Sequence, residues 1–183
     1  MISGSVSVEA LIPGSVATIT RALETAGAGV GSSRQIAQAW EMVSVPSWKG
    51  QAAAGWASFV PRETGRVGLA PAAFNRAATA LMRYEAAFVG ARAQAQAAIE
   101  QARAAEQASA NARQEHRTAV STAALADPGT AAAVVPAFSD PGRAGLASAQ
   151  AQLDTARQNL QRQGDEVAAE IRAASMTVSG VAP

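Results

Sequence analysis

The sequence predicts an all-α protein, an elongated antiparallel helical bundle or coiled-coil rod of about four helices, one of them very long. Three observations carry that prediction. Apolar residues recur at alternating steps of three and four through most of the chain, the period of a helix face. Aromatics make up only 4% of a chain that is 49% hydrophobic, because Ala supplies most of the rest. Gly and Pro gather at a few corners, where they mark the ends of helices. Small side chains favour thin, closely packed helices over a thick core, and 183 residues suit one domain or one extended helical unit.

Taken in order, residues 1–14 read as an extended or frayed arm without a clear period. Ser15 follows Pro13 and Gly14 and is placed to cap a helix over about 15–43. Val16, Ile19, Leu23, Ala26, Val30, Ser33, Ala37 and Trp40 form its apolar seam. Gly27, Gly29 and Gly31 lie inside it. They invite comparison with a dinucleotide-binding fingerprint, but no strand precedes them and no third glycine sits at the required offset. Close approach of another helix, or a local kink, is the structural reading. Ser47-Trp48-Lys49-Gly50, with Pro46 before it, reads as a tight helix-helix corner. Trp48 would be an apolar plate between the two helices, and Gly50 would let the chain turn sharply.

A second helix is expected over about 50–61, with Ala52, Trp56 and Phe59 facing inward, and Pro61 should break it near 61–69. Pro71 suits the first turn of a third helix over about 71–124. At about 1.5 Å per residue that helix is close to 80 Å long, which implies a rod. Its seam joins Phe74, Leu81, Phe88, Ala95, Ala102, Ser109 and His116 to Ala77, Tyr84, Ala91, Ala98, Ala105, Ala112 and Ala119. It starts bulky and becomes nearly all Ala. Asp127-Pro128-Gly129 ends this helix and Asp140-Pro141-Gly142 starts the next, over about 141–176. There Leu146, Leu153, Leu160, Val167 and Ala174 recur every seven residues, with Ala149 and Ala156 beside them. A Leu ridge against an Ala-lined helix packs large against small with close axes. Residues 177–183 read as a linker, so that 15–176 forms the helical domain.

Composition excludes several functions. A formal net charge of +1 with 16% charged residues offers no field to hold nucleic acid or an anionic membrane. The chain has no Cys, hence no disulfide and no thiolate chemistry. The first 13 residues lack the basic and apolar regions of a cleaved signal peptide, and no run of about 20 apolar residues could span a bilayer. The single histidine, His116, sits on a helix seam among Arg113, Glu115 and Arg117. The carboxylates alternate with Arg and Gln, as on solvated faces. No catalytic residue, metal ligand or cofactor site is expected.

A Trp-x-Gly corner, Trp48 and Gly50, in a helical hairpin of an Ala-rich chain resembles the WXG-type proteins of type VII secretion. With the long Ala/Arg/Glu/Gln helix and the returning Leu helix, essentially the whole chain is similar to the N-terminal targeting domains of actinobacterial polymorphic toxins of that pathway. The resemblance implies a non-catalytic, secreted helical domain. It would deliver a C-terminal toxin carried in cis, bind small helical WXG-like partners, and engage the secretion ATPase. Export would follow a route that reads no signal peptide, from a cytoplasmic precursor.

Trp48 and Gly50 are the motif positions; Trp40, Trp56, Phe59 and Phe88 are candidate partner-binding residues. The Tyr-x-x-x-Asp/Glu export signal of many such substrates is missing, because Tyr84 is followed four residues later by Phe88. Phe59 has Glu63 at that offset, with Pro61 between them expected to spoil the register. A stand-alone protein coating a lipid or polymer surface is the competing reading, disfavoured by the single lysine, Lys49, and by arginines balanced with acids. Homo-oligomerisation is compatible with either reading, and the tryptophans could equally be core plates.

Overall fold

The computed structural model describes residues 2–43, 47–126 and 135–179, and among them there is no strand. Four helices lie among the described residues: α1 (Val8–Leu11), α2 (Val16–Met42), α3 (Gln51–Ala126) and α4 (Arg143–Ser179). Pro46, Asp127-Pro128-Gly129 and the last four residues lie outside the described residues. The fold class is all-α with one very long helix. The expected break at Pro61 does not occur, and α3 runs for 76 residues with Pro61 and Pro71 inside it. The helices expected over 50–61 and 71–124 are therefore one. A short helix that was not expected, α1, lies in the arm.

Why α3 survives Pro61 follows from magnitudes. An interior proline costs about 3 kcal/mol relative to Ala, through a lost N–H bond and a clash with the carbonyl one turn back. Both Pro61 and Ala57 are exposed, so this turn faces water, where a carbonyl without an N–H partner costs least. Trp56 and Phe59, just before the proline, each meet Trp40 of α2. Aromatic pairs contribute about 0.5–1.5 kcal/mol each beyond their buried area. These contacts just before the proline offset a local penalty of similar size.

The chain divides into two units. The first comprises Gly14–Val89 with Leu160–Pro183. Here α2 begins as its sequence indicates: the Ser15 side chain accepts the Thr18 N–H at 3.2 Å and caps the helix. Ile19, Ala26 and Ser33 are buried on its inner face, with the other seam residues half-buried between them. The Ser33 hydroxyl donates to the Gly29 carbonyl at 2.7 Å. Of the three glycines, Gly29 is the one that α3 approaches, since a Cβ there would stand 2.6 Å from the Phe74 ring, whereas Gly27 and Gly31 face open space. From α3, Ala70, Ala73, Ala80 and Phe88 are buried; from α4, Val167 and Ala174. Arg83 pairs with Glu170 across α3 and α4.

The second unit comprises Met1–Pro13 with Gly90–Asn159. Its core is the Ala seam of α3, where Ala91, Ala95, Ala98, Ala102, Ala105 and Ser109 are all buried, against Ala149, Leu153 and Ala156 of α4. Leu146 is half-buried, and Ala119 at the far end of the seam is exposed. Gly142 and Gly145 lie on Ala105 so closely that a Cβ at either would collide with it. Asp140 fastens this end: its carboxylate accepts the Ser109 hydroxyl, the Gly142 N–H at 3.0 Å and the Arg113 guanidinium at 3.2 Å.

The arm is neither extended throughout nor frayed. Ser7 caps α1 by accepting the Ala10 N–H, and Ile2 and Ile12 are buried. This docking leaves no periodic trace in the sequence, because it depends on two separated isoleucines and on main-chain contacts.

Candidate partner-binding surface

Where α2 and α3 meet at their hairpin end, four aromatic rings gather. Trp40 of α2 lies 5.9 Å from Trp56 and 5.8 Å from Phe59, both on α3, and Trp56 stacks on Phe59 at 5.9 Å. Trp48 meets Trp56 edge-on at 6.0 Å. The sequence places these rings together because Trp56 and Phe59 are three apart, on one helix face, and Trp40 is one turn from the end of α2.

The plate between the helices is thus Trp40 against Trp56, and Trp48 is not in that position. It lies at the margin and stays 50% exposed. Ala52 is exposed as well, and Ala53 is the residue turned partly inward. Gly50 has φ +81°, a left-handed conformation that is costly for residues with a Cβ.

No ring in the cluster is fully buried. Phe59 is exposed, as are Met42 and Val43 at the end of α2. The cluster is therefore neither a closed core nor a set of isolated surface rings; it is half-desolvated, with apolar faces open to water. Phe88 does not belong to it. That ring is 2% exposed, lies against Gly14 and is 6.5 Å from Tyr84, so in this chain it belongs to the core.

Charged groups frame the rings. Arg62 lies over the Phe59 ring at 5.7 Å, a cation-π contact. Glu63 accepts from Arg62 and Arg66, each at 3.3 Å, and Arg66 also donates to the Ser179 carbonyl at 3.1 Å, near the end of α4. Because α3 is continuous, Phe59 and Glu63 stand one helical turn apart, and Pro61 does not spoil their register. Beside Glu63 and Arg66, a groove of about 360 Å³ is lined by Gly29, Ile36, Val67, Ala70, Phe74 and Val178.

Other chemistry is sparse. Among the described residues, no three His, Cys, Asp or Glu side chains are grouped to hold a metal, and no helix is long and apolar enough to cross a membrane. His116 is half-buried with its ring 5.6 Å from Phe138. Asp140 has its carboxyl held below the usual value by the Ser109 hydroxyl first, with burial opposing, and by the Gly142 N–H and Arg113. These contacts serve the α3–α4 connection.

Comparison with known proteins gives one family. Residues 4–179 match the family described as "Putative T7SS secretion signal domain". No curated protein and no solved structure matches the chain.

Proposed function

From the premise that the chain belongs to the T7SS secretion signal domain family, and so is a type VII secretion-targeting domain, we propose that it is a non-catalytic adaptor. It binds a small helical WXG-like protein and presents its cargo, a toxin domain following in cis, to the secretion ATPase. The precursor is cytoplasmic and leaves without a cleaved signal peptide. The observation that carries the finer reading is the open aromatic end of the α2–α3 hairpin, with Trp48 and Phe59 exposed beside Trp40 and Trp56. Half-buried tryptophans with free apolar faces are the residues that most often dominate protein interfaces. A helical partner laid across them would complete the desolvation that the hairpin leaves unfinished.

Within that surface, Phe59 and Glu63 form an aromatic-acid pair one turn apart on α3. They are the positions here that best serve as the export determinant expected from the resemblance to WXG-type substrates. Glu63 is already held by Arg62 and Arg66, so recognition of its carboxylate would exchange one cationic partner for another.

Export assays on the full chain test this reading. In a host with an active type VII system and the cognate small helical protein, Trp48→Ala and Phe59→Ala should each reduce export at least fivefold. Met82→Ala, at an exposed α3 position outside the cluster, should leave it unchanged. Wild-type export of both aromatic variants would overturn the assignment.

A further inference from the structure

The arm is seated on helices to which it is not directly joined. Met1–Pro13 packs with Gly90–Asn159, whereas the residues that follow it, from Gly14 to Val89, belong to the other unit. The polar contacts that hold it go largely to main chain. Arg103 donates to the Gly4 carbonyl, Arg157 to the Leu11 carbonyl at 3.1 Å and Arg92 to the Ile12 carbonyl at 3.4 Å. Glu106 accepts the Gly4 N–H at 3.2 Å, and Gln150 accepts the Ile2 N–H at 2.7 Å.

The arm's own side chains contribute chiefly two plugs, Ile2 and Ile12, 4% and 1% exposed, and a longer ion pair from Glu9 to Arg92 at 3.6 Å. Five side chains reading a main chain, with an aliphatic pocket at each end, make a peptide-binding groove. Side chains bonded to main chain supply affinity and the pockets supply selectivity, as in other modes of extended-peptide capture.

The groove also sets a steric requirement. A Cβ at Gly4 would run into the Arg103 side chain and come within 3.0 Å of its Cα and of the Glu106 carboxylate. Its ligand therefore has an aliphatic residue near each end, ten positions apart, and glycine two residues after the first. The arm satisfies all three conditions, and so does the arm of any other copy of this chain. None of these polar contacts draws on residues 14–89, so the groove offers the same polar contacts to an arm arriving from another molecule. We propose that this groove is a peptide site in which the arm is exchangeable, and that its occupant in trans is the arm of a second copy.

The tethered arm competes at an effective concentration in the mM range, so the site is masked in the wild-type chain. The probe is a fluorescent peptide of residues 1–13, titrated by anisotropy into the full chain. Gly4→Val in the chain weakens its own arm and leaves the groove intact. The peptide should then bind at least tenfold more tightly than to wild type, and adding Arg103→Ala should remove at least tenfold of that affinity.

A peptide carrying Gly4→Val itself should bind at least tenfold more weakly than the wild-type peptide. Should the Gly4→Val chain lose helicity, Ile2→Asp with Ile12→Asp in the arm unmasks the groove by expelling both plugs, with the same result expected. The proposal is overturned if neither unmasked chain binds the peptide more tightly than wild type, or if the Gly4→Val peptide binds as well as the native one.

Discussion

Replacing the three glycines of α2 one at a time by Ala separates close helix packing from mere helix weakness. An exposed helical Gly→Ala change is worth about 1 kcal/mol of stabilisation. At Gly27 and Gly31 a Cβ meets nothing within 4 Å, so each substitution should gain most of that value. At Gly29 the new Cβ would stand 2.6 Å from two carbons of the Phe74 ring, closer than packed atoms tolerate. Overpacking of this kind costs about 1–3 kcal/mol. The lower part of that range applies, because Phe74 is 36% exposed and can move outward.

The net for Gly29→Ala is therefore between neutral and about 1 kcal/mol destabilising, and the gap to its neighbours is about 1–2 kcal/mol. Urea unfolding should show it as a midpoint difference on the order of 0.5–1 M. The cause can be isolated with a second substitution: in a Phe74→Ala background, Gly29→Ala should become stabilising like the others. If Gly29→Ala stabilises the wild-type chain as much as Gly27→Ala, Phe74 does not rest on Gly29 and the α2–α3 packing described here is wrong.

Three further outcomes are expected. Gly50→Val should cost about 1–2 kcal/mol from its positive φ alone, since no atom lies within 4 Å of a Cβ there, and Gly50→Asn should cost less; equal thermal stability of Gly50→Val and wild type would contradict this. Hydrogen exchange should show Arg62–Gly68 protected as part of α3, whereas exchange at coil rates would restore the break expected from Pro61. Because the Asp140 carboxyl is depressed in the folded chain, its contribution is present above the unfolded Asp value of about 3.9 and is lost as pH falls through the lower folded value. Asp140→Asn should therefore flatten the acid side of the stability profile, and an unchanged profile would remove Asp140 from the account.

What the sequence revealed and what it hid have separate physical causes. The α2 cap at Ser15, the Ala seam from Ala91 to Ser109 and the buried run Ala149, Leu153, Ala156 were legible because periodicity and capping are local and repeat. Continuity across Pro61 was hidden because a local propensity was offset by contacts with Trp40, which lies far off in sequence. Phe88 had the composition of an interface residue but is enclosed by Gly14 and its neighbours. Ser109 was recognisable as a seam position, yet its bond to Asp140 was not, since a buried hydroxyl signals no partner. The aromatic cluster was half legible: its members could be named, while Trp48 was assigned the place that Trp40 and Trp56 fill. The arm's docking left no signal because its anchors lie mostly in the backbone.

The most direct test of the account is secretion itself. A stable reporter enzyme fused after Pro183 should appear in the medium of a host with an intact type VII system and remain inside the same host when its secretion ATPase is disabled. Retention in both hosts, or release that ignores the ATPase, would contradict a targeting role for this chain.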